Sequence, residues 1–183
     1  MSLSPKSCYT LAALSAAILT AVPAAAQQKI ANVGLDHYSG TWLEIARRPM
    51  WLTDGCVAGY TTYKMTKSEG PGAVSVEDGC RTGTPQGSLK TVHGDGRIID
   101  FGGSNARLHV KYPLFITFDY NVLYKSPDKQ WFISADPKME NLWIYSRYAP
   151  SKRKLDMMVR KAAALGYDVK KLEFPAPATM PQK

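Results

Sequence analysis

From residue 40 to residue 147 the chain is cut at nearly even intervals by clusters that reverse a backbone. They are SEGPG at 68–72, FGGS at 101–104, Tyr112-Pro113, SPDK at 126–129 and DPK at 136–138. Each supplies Gly, Pro or Asp where a tight turn needs it. The segments between them are short and apolar, which predicts strands at 41–48, 57–66, 73–81, 88–100, 106–112, 117–125, 130–135 and 141–147. Eight antiparallel strands joined as neighbours are most economically closed into an up-and-down barrel, because closure removes the unpaired edges. The expected class is therefore all-β. One segment departs from this pattern. Ser151 can cap a helix in which Leu155, Met158, Val159, Ala162 and Leu165 recur at helical spacing, with Gly166 just past the end. This is expected as one exterior C-terminal helix, followed by a short final strand at 168–174 and an untethered tail at 175–183.

The amino terminus reads as an export signal. Lys6 precedes an apolar run at 11–22 and then Pro23-Ala24-Ala25-Ala26, so cleavage is expected after Ala26. The run is about a dozen residues, short of the roughly 20 that span a bilayer. Cys8 precedes the apolar run, so there is no lipobox cysteine after the cleavage point. The expectation is a single exported domain over 27–183, its barrel at about 33–174, periplasmic or secreted, with outer-membrane association left open. Cys56 and Cys80 then remain. In an oxidising compartment an even count reads as a disulfide, and the two lie almost equidistant from the turn at 68–71. Two unpaired buried thiols are the alternative.

Residues 1–26 carry only Lys6 as a charge, so their removal lowers the formal net charge from +8 to +7. The cations are scattered as Arg47-Arg48, Lys152-Arg153-Lys154, Arg160-Lys161 and Lys170-Lys171, with no aromatic-interleaved basic stripe. That speaks against nucleic acid and leaves an anionic membrane surface as a peripheral partner. Catalytic patterns are sparse. His37, His93 and His109 lack metal-ligand spacing, and no GxSxG elbow, P-loop or HExxH occurs. GDG at 94–96 falls inside a strand, where it reads as a bulge or bend. No catalytic residue, metal or cofactor is assigned. Glu44, on the face of Trp42, is the single candidate acid or base, should the scaffold act on a lipid-like substrate; the favoured alternative pairs it with a cation or sets it at the barrel floor.

What the strands carry in quantity is aromatic residues at alternate positions. In TFDYNVLYK, Tyr120, Val122 and Tyr124 share one face by simple alternation. In NLWIYSR, Trp143, Tyr145 and Arg147 share one face while Leu142 and Ile144 take the other. Apolar residues on both faces fit a strand between a barrel interior and an outer helix. The interior is either a filled core or a cavity for one small ligand.

These residues resemble the lipocalins, most closely the bacterial lipocalins related to apolipoprotein D. The resemblance covers roughly 33–174. It rests on Gly40-Thr41-Trp42 opening the first strand, TFDYNVLY entering a late one, and Arg147 ending the eighth. It implies that Trp42 plugs the closed end with Arg147 across its ring, and that Gly40 leaves room for the chain beneath. It also implies open-mouth loops bearing Met50, Trp51 and Leu52 and, across from them, Leu114 and Phe115. The implied function is carriage of a small hydrophobic ligand, a fatty acid or lysophospholipid, by a monomer or weak dimer. Thr61, Tyr120, Val122, Tyr124, Trp143 and Tyr145 are the expected ligand-binding residues. A lipid-directed enzyme and a protein-binding module using the rim loops are the rival readings.

Overall fold

The computed structural model describes residues 28–67 and 69–177. The segment expected as an export signal, together with the last part of the tail, lies outside the described residues. Eight strands follow in chain order: β1 Ser39–Arg47, β2 Cys56–Met65, β3 Ala73–Thr82, β4 Leu89–Ile98, β5 Arg107–Lys111, β6 Thr117–Lys125, β7 Trp131–Ala135 and β8 Leu142–Ser146. Each pairs antiparallel with the next, and β8 pairs back onto β1, so the sheet is a closed barrel. The eight expected strands all form.

Helix α1, Lys152–Ala164, lies against the outside of the barrel. Ser151 caps it, its hydroxyl accepting from the Lys154 amide at 3.4 Å. Gly166, at φ +90°, turns the chain away after the last turn, in a conformation that favours glycine. Met158 and Ala162 are buried against Leu43, Leu123, Trp131, Ile133, Leu142 and Ile144 from the outer face of the sheet. Met158→Ala would cost about 2–5 kcal/mol, because it empties a filled site. Strands β7 and β8 are buried on both faces, as their apolar residues on both sides require.

The segment at 168–174 is not a strand. It makes a 3-10 turn at Val169–Lys171 and then a single antiparallel bridge, Glu173 to Arg47. Asp168 accepts from the Lys170 amide at 3.2 Å and favours the turn over an extended ladder. The described start of the tail is tethered rather than free: the Ala58 amide donates to the Ala176 carbonyl at 2.7 Å.

Three register shifts decide which side chains face inward. They fall between Glu44 and Ala46, between Val57 and Tyr60, and between Val122 and Tyr124. Each adds a residue to one strand and so reverses the alternation beyond it. At 94–96 the expected bulge is absent, since β4 keeps continuous register with both neighbours. Gly94 is required by packing instead. A Cβ there would stand 2.6 Å from Val110 Cγ1 and 2.9 Å from the Tyr112 ring.

Candidate functional site

The barrel interior has a filled half and a hollow half. At the closed end Trp42, Tyr63, Val76, Leu108, Val122 and Phe132 are buried together. The Trp42 indole donates to the His37 carbonyl at 3.1 Å. The Arg147 guanidinium carbon lies 3.4 Å from the Trp42 ring centroid, and its Nη1 and Nη2 donate to the carbonyls of Thr41 and Ser39. Gly40 is needed there for its left-handed φ of +68°. Buried among these rings, His37 has its pKa lowered to about 3, first by desolvation and then by Lys125 and Arg147, so it stays neutral.

Above this plug lies a cavity of about 310 Å³. That is at the small end of the roughly 300–1,000 Å³ usual for ligand pockets. Phe118, Tyr120, Trp143 and Tyr145 form much of its wall, and it reaches Met50, Leu52 and Thr53 of the β1–β2 loop and Ile116 after β5. The Tyr120 and Trp143 rings meet edge-on at 5.1 Å. A larger cleft, about 570 Å³, runs between the β1–β2 loop and Phe174-Pro175. The smaller space is the better ligand site because barrel strands enclose it.

Of the six residues expected to bind ligand, Tyr120, Trp143 and Tyr145 border this cavity. Thr61 and Val122 face the interior but lie outside its lining, buried within the barrel. Tyr124 is a correction. The register shift after Val122 turns it outward, where its ring packs 4.8 Å from Trp131 under α1, with Lys161 Nζ 4.3 Å from its centroid. Simple alternation put it on the wrong face.

The cation expected beside Glu44 is Arg47, which the sequence pattern groups with the scattered surface charges. The shift in β1 points Arg47 inward alongside Glu44, and both are buried. Arg47 Nη1 donates to Glu44, its Nε to Glu173 at 2.6 Å, and its Nη2 to the carbonyls of Thr53 and Cys56. Burial pushes the Glu44 carboxyl up, and the Arg47 charge opposes that shift. Glu44 is thus held in an ion pair, not free as an acid or base. Gly59 leaves space for it: a Cβ there would stand 2.6 Å from Glu44 Oε1.

Across the cavity Asp78 accepts from the Tyr112 hydroxyl at 2.5 Å, and that hydroxyl lies 3.4 Å from the Tyr120 hydroxyl. Burial pushes the Asp78 carboxyl above its ordinary value, with the Tyr112 hydrogen bond opposing. Burial also raises the Tyr112, Tyr120 and Tyr145 hydroxyls, which therefore remain neutral donors. No pattern in the sequence marks Asp78. Only its barrel register, opposite Thr61 and Val92, reveals that it faces inward.

Cys56 and Cys80 form a disulfide on the cavity wall, with Cα atoms 5.5 Å apart. They are not directly opposed, since Cys56 pairs with Thr82 and Cys80 with Lys90. The bond crosses the register shift between Val57 and Tyr60. At the rim the expected loop residues stand outward: Trp51 is 79% exposed, Leu114 86% and Phe115 fully. Leu52 is partly exposed and Met50 half-buried. Among the described residues, no group of three or more His, Cys, Asp or Glu is placed to hold a metal ion.

The comparisons agree with this architecture. Residues 33–177 match the family model described as a lipocalin-like domain. The chain is 30% identical to temperature-induced lipocalin-1 of Arabidopsis thaliana, covering 78% of each. It is 27% identical to a lipocalin of Acanthamoeba polyphaga mimivirus, covering 77% of this chain and 83% of that one. Among solved structures, insecticyanin from the tobacco hornworm Manduca sexta superposes with a TM-score of 0.60 at 17% identity, covering 81% of this chain and 82% of that one.

Proposed function

The chain belongs to the lipocalin family, and from that premise we propose that it binds and carries a single-chain hydrophobic ligand in the upper half of its barrel, in the class of fatty acids and lysophospholipids. The observation that carries this reading is the cavity of about 310 Å³ bordered by Tyr120, Trp143 and Tyr145. Burying about ten methylenes there would contribute on the order of 8 kcal/mol gross. Association and ordering costs reduce that to an affinity of roughly micromolar. Lys90 on the cavity wall supplies a cation toward the open end for a carboxylate or phosphate. Binding is favoured over catalysis because Glu44 is committed to Arg47. The test is displacement of a fluorescent fatty acid by unlabelled fatty acid and lysophospholipid, with mass spectrometry of the lipids that co-purify. Saturable displacement supports the reading, and its absence with both competitors overturns it.

A second reading, peripheral contact with an anionic membrane, is favoured by the rim. Trp51, Leu114 and Phe115 leave large apolar surfaces in water, and Leu114 and Phe115 both hold φ at +60°, which bulky residues rarely adopt. Together with the positive net charge, this suits a mouth that exchanges ligand at a headgroup layer. Flotation with vesicles containing phosphatidylglycerol tests it. Binding lost in a Trp51→Ser, Phe115→Ser variant supports the reading, and no binding by the parent refutes it. Placement outside the cytoplasm, in a periplasm or secreted, is part of the same proposal, supported by the pattern at 1–26 and by the disulfide.

A further inference from the structure

We infer that the cavity takes its amphiphile head-first, with a hydrogen-bond-donating polar group, an amine or an alcohol, against Asp78 and the hydrocarbon tail against the apolar rim. This rests on the carrier reading above for a single-chain amphiphile in the barrel, but it reverses the orientation and replaces the anionic head group that Lys90 would hold at the open end.

The cavity's polarity runs opposite to that of a tail-first pocket. Apolar side chains are gathered at the open end, where Trp51, Leu114 and Phe115 stand in solvent and Leu52 and Ile116 continue inward. Deeper in the barrel the wall becomes polar. Asp78 lies on the inner face of β3, with the Tyr112 and Tyr120 hydroxyls beside it. Thr61, its ladder neighbour on β2, is buried behind this wall and outside the cavity lining. A tail driven into this region would strip water from Asp78 and the Tyr112 and Tyr120 hydroxyls, which line the cavity, and give nothing in return. Below these groups the rings of the closed end are packed together.

The sign of the site follows from which charges are already spent. Arg47 is a buried cation on the cavity wall, but Glu44, Glu173 and two backbone carbonyls take its donors. Asp78 makes no ion pair among the described residues; its partner is a neutral phenol. Lys90 pairs with Cys80, two residues nearer the open end than Asp78, so an anionic head would stop there. A carboxylate pushed further would face both Asp78 and Glu44. An ammonium or hydroxyl would instead donate to Asp78, and a charge-assisted bond of that kind is the stronger one.

The experiment compares three probes of equal chain length, decylamine, decanol and decanoate, by calorimetric titration of the full protein and its Asp78→Asn variant below the probes' micellar concentrations. The net positive charge of the protein favours decanoate non-specifically, so the expected order runs against the bulk field. In the parent, decylamine should bind roughly tenfold more tightly than decanoate, and Asp78→Asn should remove most of that preference. Circular dichroism and the intact disulfide report whether the variant is folded, and Asp78→Ser provides a second substitution should Asn perturb the fold. Equal or tighter binding of decanoate by the parent, or a preference that survives in the folded variants, overturns the head-first assignment and leaves the carrier reading standing. If none of the three probes binds, the carrier reading fails and this assignment fails with it.

Discussion

Arg147 and Trp42, more than a hundred residues apart, meet with the guanidinium carbon 3.4 Å from the indole centroid, and Arg147 also donates to two carbonyls of the first strand. One side chain therefore ties the end of β8 to the start of β1 and seals the barrel. Its contact with the indole is worth on the order of 0.5–2 kcal/mol, and the two hydrogen bonds add to it. Arg147→Ala should destabilise the protein by about 2–4 kcal/mol in urea unfolding, and Arg147→Lys should restore less than half of that. A loss below about 0.5 kcal/mol would mean that the plug is not a keystone.

The disulfide joins residues 24 apart across a shift in the β2–β3 ladder. Loop closure in the unfolded chain predicts about 3 kcal/mol of stabilisation, by a mechanism that depends on the model used. The double variant Cys56→Ala, Cys80→Ala should fold with a lower urea midpoint. Because both sulfurs lie on the cavity wall, it should also bind ligand more weakly. An unchanged midpoint would be the contrary result.

Gly94 exists for the Tyr112 ring. A Cβ there would stand 2.9 Å from that ring and 2.6 Å from Val110, so Gly94→Ala should cost about 1–3 kcal/mol through overpacking. It should also shift Tyr112 away from Asp78 and weaken amine binding, as Tyr112→Phe should without the overpacking cost. Calorimetry and thermal melts together separate the two effects.

The acid limb of stability carries a sign. Burial first, with Glu77 adding and Tyr112 opposing, holds the Asp78 carboxyl above its ordinary value of 3.8. An acid whose folded pKa is raised binds its proton more tightly folded than unfolded. Its contribution is therefore most favourable below the unfolded value and is lost as pH rises through the folded one. Asp78→Asn should melt higher than the parent at pH 7, and the gap should close as pH falls toward about 4. Glu44 has the same sign and Asp78 adds to its upward shift, so Asp78→Asn also relieves Glu44 and the two effects act in the same direction.

The barrel was legible because its turns are written in Gly, Pro and Asp at fixed places, and turn chemistry is local. The Trp42 and Arg147 pair was legible because the resemblance carried it. The polar half of the cavity was not, since inward and outward residues are assigned by alternation and the ladder breaks that alternation three times. One such break turns Tyr124 out to α1, and another turns Arg47 in toward Glu44. Asp78 lies on no motif at all. It is found only by its register with Thr61 and Val92, a property of the closed sheet and not of any one strand. The final segment was misread as a strand because Asp168 favours a turn that apolar pattern alone does not reveal.

The most direct measurement fills the cavity and asks whether binding disappears. Val92 faces the hollow opposite Asp78, and Val92→Trp would occupy the space without touching the Trp42 plug. Titrated with a fluorescent fatty acid, the parent should show one saturable site of roughly micromolar affinity, and the folded Val92→Trp protein should show none. Binding that is equally strong in both proteins, or absent from the parent, would contradict a ligand site inside the barrel.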